Sequence, residues 1–234
     1  ASTCIELLHN FMLIHDDIID CSDLRRSKPT MHRMLRQTVN SNDPDKLGID
    51  LGIIAGDIVY ALAIDAFLSF QESPQRMKKA LQYFVQTAAL TAIGEFVDTL
   101  NGALPIHKVS EKDVFLNYSL KTARYTFDCP LVMGAILAGA DAKETQRLAE
   151  LGLLIGQAFQ IQDDIIGVFD TQKNIGKSVL SDIEESKKTI LVCHAYNVLK
   201  GADRKNFIKY FSKKNISYSD LKTIRGLFIT SGSL

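Results

Sequence analysis

The chain lacks an excess of charge of either sign. Its 27 Lys and Arg residues are balanced by 27 Asp and Glu residues, so the formal net charge of the 234-residue chain is zero at pH 7. Nucleic acids and anionic membrane surfaces select for proteins with clustered positive charge. The balanced composition therefore argues against both kinds of partner.

Closely spaced cysteine pairs and long uncharged segments are also missing. The four cysteines are scattered, at Cys4, Cys21, Cys129 and Cys193. This spacing fits neither a zinc site nor a disulfide scaffold and indicates reduced, packed side chains. Uncharged stretches such as 129–140 and 151–162 are too short to cross a bilayer, and no signal segment opens the chain. Together these features predict a cytoplasmic protein without stable membrane insertion.

The sequence also has few patterns typical of β-strands. Alternating apolar and polar runs bounded by turn residues are nearly missing. Apolar residues instead recur at helical spacing, and no repeat or linker divides the chain. The pattern predicts an all-α fold in one helical domain. Helices are expected over about 2–22, 47–70, 75–100, 112–139, 143–170, 187–200, 203–213 and 218–230.

Three local features refine this prediction. Ser110 and Asp141, each followed three residues later by an acidic residue, have the pattern of helix starts. Pro130 falls within a predicted helix and should kink it, because proline removes a backbone donor and clashes with the preceding turn. Ala1 begins the chain inside a predicted helix, which indicates a portion of a longer protein.

Two short acidic segments lie within apolar helices. They read Asp16-Asp17-Ile18-Ile19-Asp20 and Asp163-Asp164-Ile165-Ile166-Gly167. Two Asp-Asp pairs are close to the number that chance predicts for this composition, so the pairs alone indicate no function. Their position between apolar residues of a predicted helix is the informative feature. Asp16 and Asp20 would lie about 6 Å apart along one helix face, where like charges repel. A cation would relieve this repulsion, and oxygen ligands without His or Cys indicate Mg²⁺.

Two other interpretations of the acidic segments are open at this point. They could be solvated helix ends or calcium loops, although an EF-hand loop requires alternating oxygen ligands and a central Gly that neither segment has. Cationic residues elsewhere favour a diphosphate clamp, since Arg and Lys donate to phosphate oxygens. They are Arg25, Arg26, Lys121, Lys177, Lys187 and Lys188. Taken singly, each is more typical of a solvated surface residue.

Together these residues resemble the trans-isoprenyl diphosphate synthase, or polyprenyl synthetase, family over nearly the whole chain. The first aspartate-rich motif is matched by Asp16-Asp17-x-x-Asp20-x4-Arg25-Arg26-x-x-Pro29, and the second by Gly156-x-x-Phe159-Gln160-x-x-Asp163-Asp164-x-x-Gly167. Four further matches follow the family's order: Ala55-Gly56-Asp57, Gly94-Glu95-x-x-Asp98, Lys121-Thr122, and a loop with Gly176-Lys177, Asp182-Ile183 and Lys187.

The resemblance implies an isoprenoid-synthase helical bundle with a central cavity over 1–234, in a homodimer. It implies a prenyltransferase that condenses isopentenyl diphosphate with an allylic diphosphate, using three Mg²⁺ ions per active site. Asp16 and Asp20 would bind two ions and Asp163 the third, with Asp17 and Asp164 in supporting positions. The implied ligands of the allylic diphosphate are Arg25, Lys121, Thr122, Gln160, Lys177 and Lys187, and Arg26 would bind isopentenyl diphosphate.

Product length is expected to depend on the helix that carries Asp16. The growing product should extend toward the start of that helix, past Met12, Phe11 and Leu8. A bulky residue such as Phe11, five positions before the motif, resembles archaeal geranylgeranyl diphosphate synthases. The expected product therefore has twenty carbons, with fifteen as the alternative if Met12 also narrows the path. Phe11 could equally be an ordinary core residue.

The chain departs from the family pattern in three places. Gly167 stands where many members have a third Asp, although Asp170 returns to nearly the same helix face. The family's amino-terminal Gly-Lys-x-x-Arg element is absent from these residues, and the resemblance implies further helices before and after them. Residues 171–188, which include Lys177 and Lys187, are expected to form a lid that closes over diphosphate.

Other assignments compete with this one. A class I terpene cyclase also has an aspartate-rich motif, but its second metal motif is typically built from Asn, Ser and Glu. A non-catalytic regulatory subunit of a synthase usually loses one acidic motif, and both are present here. Farnesyl and longer-chain diphosphate synthases share the same motifs. A purely structural helical protein would require none of these combinations.

Overall fold

The computed structural model describes residues 2–170, 183, 186–211, 213 and 216–234. The predicted all-α fold is confirmed. The α-helices are α1 Ser2–Ile19, α2 Met31–Leu35, α3 Pro44–Leu68, α4 Pro74–Ala103, α5 Glu111–Tyr118, α6 Cys129–Ala138, α7 Ala142–Phe169, α8 Ile190–Val198, α9 Gly201–Phe211 and α10 Tyr218–Thr230. A 3₁₀ turn spans Ile106–Lys108, and a π-helical stretch spans Ser119–Asp128.

The predicted helix starts are confirmed. Ser110 and Asp113 form a capping box at the start of α5, in which each side chain pairs with the other residue's backbone amide. At the start of α7, the amide of Glu144 donates to Asp141 Oδ1 at 2.8 Å. These contacts satisfy amide groups that a helix leaves without partners in its first turn.

Pro130 lies within a helical run that continues without a break from 111 to 138, close to the helix expected over 112–139. The π-helical stretch Ser119–Asp128 passes directly into α6, and Pro130 lies in the first turn of α6. A kink at this proline stays a prediction. Lys121 and Thr122 lie within that stretch, and π-helical turns are frequent at functional sites.

A β-ribbon and the short helix α2 lie between the first two helices predicted from the sequence, 2–22 and 47–70. Strands β1 Leu24–Arg25 and β2 Lys28–Pro29 pair antiparallel. Arg26 and Ser27 connect them with φ angles of 52° and 62°. Two consecutive positive φ angles are typical of a two-residue type I′ turn. The ribbon carries both arginines of the first motif.

Ser27→Gly should stabilise the protein by about 0.5 to 1 kcal/mol. A residue with a Cβ pays for a left-handed conformation, and glycine removes that strain, although its larger unfolded-state entropy offsets part of the gain. Urea unfolding of both proteins measures the difference. Ser69→Gly is the control, because Ser69 has an ordinary φ of −75°. Equal stability of Ser27→Gly and the wild type would contradict this prediction.

Contacts between Cα atoms divide the chain into two compact units. Unit 1 comprises Ala1–Leu90 and Arg124–Leu153, and unit 2 comprises Thr91–Ala123 and Leu154–Leu234. The boundaries fall within α4, the π-helical stretch and α7. The expectation of one domain that lacks flanking helices stays a prediction.

Each unit has its own apolar core. The core of unit 1 contains Cys4, Leu8, Ala63, Phe67, Ala80, Phe84, Ala88, Cys129 and Met133. In unit 2, the rings of Phe207 and Phe211 lie 4.7 Å apart, and Phe228 packs against both. A smaller cluster in unit 2 contains Val109, Val114, Tyr118 and Cys193. These cores anchor the helices that carry the predicted site residues.

The four cysteines are thiols that form no disulfide in the structure, as expected. Cys4, Cys129 and Cys193 are buried and pack in the cores. The expectation of a packing role is wrong for Cys21, which is exposed just beyond α1. Its φ of 51° places it where the chain turns from the helix toward the ribbon.

Helix α3 is long and apolar enough to cross a membrane by length and composition, and it alone qualifies among the described residues. Of its most apolar 18 residues, 22% are buried in the structure. A search of the sequence for long uncharged stretches misses this helix, because charged residues divide its apolar sequence. They are Asp45, Lys46, Asp50, Asp57 and Asp65. A single helix of this kind is weak support for insertion, so the absence of stable membrane insertion stays a prediction.

Candidate functional site

The first acidic segment lies at the end of α1 in unit 1. Asp16 and Asp17 belong to the last turns of the helix, and the amide of Asp20 donates to the Asp16 carbonyl at 2.8 Å, which extends the helical turn. Arg25 of β1 donates from Nη2 to Asp16 Oδ2 at 2.9 Å and from Nε to Asp17 Oδ1 at 2.8 Å. The sequence prediction did not include this ion pair.

Asp16 and Asp17 have different surroundings although they are adjacent. Asp17 is only 4% exposed, and burial raises the pKa of its carboxyl despite the nearby Arg25 guanidinium. Burial alone would lower the pKa of Arg25, but the carboxylates of Asp17 and Asp16 outweigh it and raise that pKa. Asp16 and Asp20 are half-buried. The segment thus places the half-buried carboxylates of Asp16 and Asp20 beside the buried carboxylate of Asp17, and Arg25 pairs with both Asp16 and Asp17.

Gly56 allows α3 to approach α1 beside the first acidic segment. A Cβ at Gly56 would collide with the imidazole of His15, the residue before Asp16. The same imidazole lies 3.2 Å from the Ile53 carbonyl and 3.6 Å from Asp57 Oδ1. The Ala-Gly-Asp element predicted from sequence therefore supports the helix turn that carries Asp16.

A pocket of about 180 Å³ lies between α1, the ribbon and α2 in unit 1. Its wall combines the two arginines of the motif with apolar side chains. It is lined by Asn10, Leu13, Ile14, Asp17, Arg25, Arg26, Pro29, Thr30, Met31 and Met34. Arg26 is exposed, unlike the paired Arg25. The pocket could accept a small anion with a short apolar group.

His9 is a candidate residue that the sequence interpretation missed. Burial lowers the pKa of its imidazole, and the charges of Arg26 and Arg25 lower it further. Its Nδ1 lies 3.1 Å from the hydroxyl of Tyr125. His9 precedes Asp16 by seven residues, or two helical turns, and therefore lies on the same helix face. This spacing is the sequence signal that could have identified His9.

The three residues expected to set product length differ in exposure. Leu8 is completely buried in the core of unit 1, whereas Phe11 and Met12 are half-buried at its edge. The ring of Phe11 packs 4.8 Å from His15 and 5.0 Å from Tyr60 of α3. Tyr60 is therefore a further bulky side chain at this position.

Lys121 in unit 2 is held between two carboxylates. Its Nζ lies 2.8 Å from Glu95 Oε2 and 2.7 Å from Asp98 Oδ2. Asn117 donates to the other oxygen of Asp98 at 2.8 Å. A Cβ at Gly94 would lie 2.5 Å from the backbone nitrogen of Lys121, so only glycine allows this close helix crossing. The mid-chain motif and the Lys-Thr pair thus form one cluster.

The second acidic segment repeats the contrast between an open and a buried carboxylate. Asp163 is exposed on α7, whereas Asp164 is 7% exposed. Gln160 donates to Asp164 Oδ1 at 3.0 Å and accepts from the Thr122 hydroxyl at 2.7 Å. The hydroxyl of Tyr118 donates to Asp164 Oδ2. The structure brings Thr122, Gln160 and Asp164 together, as the prediction required.

Three remaining residues complete the account of the predicted set. Asp170 follows the end of α7, and its carbonyl accepts from Arg225 at 3.0 Å. Lys187 is half-buried just before α8. Lys177 lies outside the described residues, as does most of the expected lid over 171–188.

The donor groups fit Mg²⁺. Each acidic segment offers carboxylate oxygens at an accessible position, from Asp16 on α1, Asp20 just beyond its end and Asp163 on α7. In each segment the following aspartate is buried and binds a protein donor, Arg25 in one case and Gln160 in the other. The same donors also reach the preceding aspartates, Asp16 at 2.9 Å and Asp163 at 3.4 Å. Hard oxygen donors of this kind suit Mg²⁺ and leave positions for phosphate oxygens.

Comparison with known proteins identifies the family. The Polyprenyl synthetase family model matches residues 1–227. The chain belongs to the polyprenyl synthetase family. It is 31% identical over 223 residues to a short chain isoprenyl diphosphate synthase of Methanocaldococcus jannaschii, and 33% identical over 224 residues to a geranylgeranyl diphosphate synthase of Sulfolobus acidocaldarius. The family resemblance inferred from the motifs is confirmed.

A solved structure of this family has the same fold. Geranylgeranyl pyrophosphate synthase from Corynebacterium glutamicum, in complex with isoprenyl diphosphate and magnesium, matches with a TM-score of 0.89 and 28% identity over 98% of this chain and 66% of that one. The two curated relatives match over 95% and 94% of this chain, which spans 63% of the length of each.

Proposed function

We propose that the full-length protein is a trans-prenyltransferase that condenses isopentenyl diphosphate with an allylic diphosphate. The observation that carries this proposal is an arrangement that both acidic segments share, in which a more accessible aspartate precedes a buried one. A regulatory subunit that had lost catalysis would have no need to maintain both arrangements. The protein is proposed to act in the cytoplasm.

The acidic residues are proposed to hold the metal. Asp16 and Asp20 would bind two Mg²⁺ ions and Asp163 a third, while Asp17 and Asp164 orient the neighbouring carboxylates. When bound, Mg²⁺ supplies positive charge that neutralises the diphosphate leaving group. The accessible positions of these three aspartates, and the buried positions of their neighbours, support this division of roles.

The cationic residues are proposed to bind the two diphosphates separately. Arg25, Lys121 and Lys187 would donate to the allylic diphosphate, together with Thr122, Gln160 and Lys177. Arg26 would donate to isopentenyl diphosphate, whose short apolar chain suits the pocket beside it. Arg25 and Lys121 now bind carboxylates, so substrate binding must exchange or share these partners. Before substrate binds, these carboxylates keep both cations paired.

The side chains bind and orient the reactants without attacking them. The allylic carbon–oxygen bond breaks as Lys and Arg donors stabilise the charge that develops on the diphosphate. The double bond of isopentenyl diphosphate then attacks the allylic cation, and a proton leaves the new chain for the released diphosphate. Apolar helix walls exclude water that would otherwise capture the cation.

Product analysis tests the proposed reaction directly. The full-length protein is incubated with Mg²⁺, isopentenyl diphosphate and, in turn, dimethylallyl, geranyl or farnesyl diphosphate, and the products are separated by chromatography. Geranylgeranyl diphosphate is the expected main product. Farnesyl diphosphate or longer products would contradict the proposed product length but support the proposed reaction. A folded protein that makes no product alone but alters the product of an active synthase would favour the regulatory-subunit alternative.

Phe11→Ala should lengthen the main product, whereas Met12→Phe should shorten it. The first change removes the proposed floor, and the second places a ring one position nearer Asp16. Chromatography of the extracted products gives the length distribution. Phe70→Ala is the control, since this ring packs 5.2 Å from Phe67 in the core of unit 1.

Tyr60, whose ring packs against that of Phe11, provides a second test of product length. The ring of Tyr60 lies 5.0 Å from that of Phe11, so Tyr60→Ala should also lengthen the product. If Phe11→Ala, Met12→Phe and Tyr60→Ala all give the wild-type distribution, the length limit is set elsewhere.

A homodimer is the proposed assembly. Helix α3 presents exposed apolar side chains one turn apart at Ile54, Ile58 and Leu62. A second copy of the chain would bury this row, which supports association more simply than membrane insertion does. Analytical ultracentrifugation of the full-length protein should show a dimer, and Ile58→Glu should shift it toward monomer.

A further inference from the structure

The hydroxyl of Tyr118 connects two distant parts of unit 2. Tyr118 is the last residue of α5 and is 6% exposed. Its hydroxyl donates to Asp164 Oδ2 on α7 and accepts from the amide of Ile190 at 2.9 Å. Ile190 is the first residue of α8. One phenolic oxygen therefore joins the second acidic segment to the start of the following helix.

Asp164 is fixed from both sides. Gln160 donates to its Oδ1 at 3.0 Å, and Tyr118 donates to its Oδ2. The donors point in a consistent direction, because the amide of Ile190 donates to Tyr118 and the hydroxyl of Tyr118 donates to Asp164. Buried hydrogen bonds aligned in this way strengthen one another. The carboxylate of Asp164 consequently has one preferred orientation.

The start of α8 is fixed by two further contacts. The hydroxyl of Thr189 accepts from the amide of Val192 and caps the helix. Lys188 Nζ donates to the carbonyl of Gly102 at 3.0 Å, at the end of α4. Lys187 immediately precedes these anchored residues. Its backbone position therefore depends on the contacts that hold α8 in place.

We propose that Tyr118 is a positioning residue whose hydroxyl sets the orientation of Asp164 and the position of the segment that carries Lys187. The role rests on the proposed prenyltransferase function, since Asp164 adjoins a proposed metal ligand and Lys187 is a proposed diphosphate ligand. Tyr118 itself touches neither reactant. The hydroxyl, and not merely the ring, performs this role.

Tyr118→Phe separates the hydroxyl from the ring. The ring continues to pack with Val109, Val114 and Cys193, but the amide of Ile190 and one oxygen of Asp164 lose a partner. Amide hydrogen exchange of Ile190, measured without metal or substrate, should become about fivefold faster, which corresponds to the loss of one ordinary hydrogen bond. Unchanged exchange at Ile190 would overturn the proposed tether.

A second measurement tests the consequence for the metal site. Thermal unfolding of the full-length protein is followed as Mg²⁺ is added in the presence of inorganic pyrophosphate. In Tyr118→Phe the Mg²⁺ concentration that gives half of the stabilisation should rise about fivefold. Turnover should fall with little change in KM for isopentenyl diphosphate, because Arg26 and its pocket lie in unit 1. A wild-type Mg²⁺ midpoint and turnover would overturn the positioning role.

Tyr196→Phe is the matched control. Tyr196 lies on α8 in the same unit, and its ring packs 4.8 Å from the guanidinium of Arg204. Loss of this hydroxyl should leave both the Ile190 exchange and the Mg²⁺ midpoint at wild-type values. If wild-type protein makes no prenyl product, the proposed function fails, whereas the Ile190 exchange still decides whether Tyr118 tethers α8.

Discussion

Asp20→Ala and Asp16→Ala, made separately, should each reduce prenyl transfer by more than about a hundredfold. Each variant loses a carboxylate proposed to bind metal. Circular dichroism should remain helical, because the change also relieves repulsion between acidic side chains. Product formation is measured at saturating Mg²⁺. A reduced affinity for Mg²⁺ that a higher concentration could overcome then does not account for the loss of activity.

The two variants also distinguish metal binding from the ion pair with Arg25. Arg25 donates to Asp16 Oδ2, and no such contact joins it to Asp20 in the part of the chain that the structure describes. Asp50→Ala provides a surface control, since Asp50 pairs with Lys46 on α3. Near-normal turnover of Asp20→Ala would show that this helix face does not hold the metal.

Gly94→Ala should destabilise the protein by about 3 kcal/mol and lower its turnover. The added Cβ would lie 2.5 Å from the backbone nitrogen and 2.7 Å from the Cα of Lys121, and neither atom can move without shifting the helix. The displacement would also carry Lys121 away from Glu95 and Asp98. Urea unfolding measures the stability, and product formation measures the effect on the cluster.

Gly226→Ala is the control for the crossing at Gly94. Gly226 lies within α10 of the same unit, where an added Cβ meets no atom within 4 Å. Alanine there should stabilise the helix by about 0.5 to 1 kcal/mol. A stability for Gly94→Ala equal to that of Gly226→Ala would mean that the close helix crossing does not constrain residue 94.

Helical periodicity and capping patterns were sufficient to predict most of the fold. The α10 prediction, 218–230, coincides with Tyr218–Thr230, and Ser110 and Asp141 cap helices as expected. The β-ribbon could not be predicted in this way, because its two strands are two residues long and its turn contains no glycine. Its geometry depends on Arg25 pairing with Asp16 and Asp17, a tertiary contact.

The motifs supplied a set of candidate site residues, but not the partners of those residues. Sequence order placed Thr122, Gln160 and Asp164 in one functional set, and the structure joins them by hydrogen bonds. The contact of Tyr118 with Asp164 joins two residues that lie 46 positions apart in sequence, on two different helices. Spacing within a helix cannot reveal such a pair, because only tertiary packing brings the helices together.

The π-helical stretch gives this chain a place where its length can change by one residue among relatives. A π-type hydrogen bond spans one more residue than an α-type bond, so deleting one residue between 119 and 128 could restore an α-helical turn. Both kinds of turn complete one rotation, so the residues that flank the stretch would keep their register and Cys129 and Met133 could stay in their core. In a regular α-helix, the same deletion would rotate one side by about 100° relative to the other. One-residue alignment gaps are therefore expected within this stretch before they are expected in the α-helices that flank it.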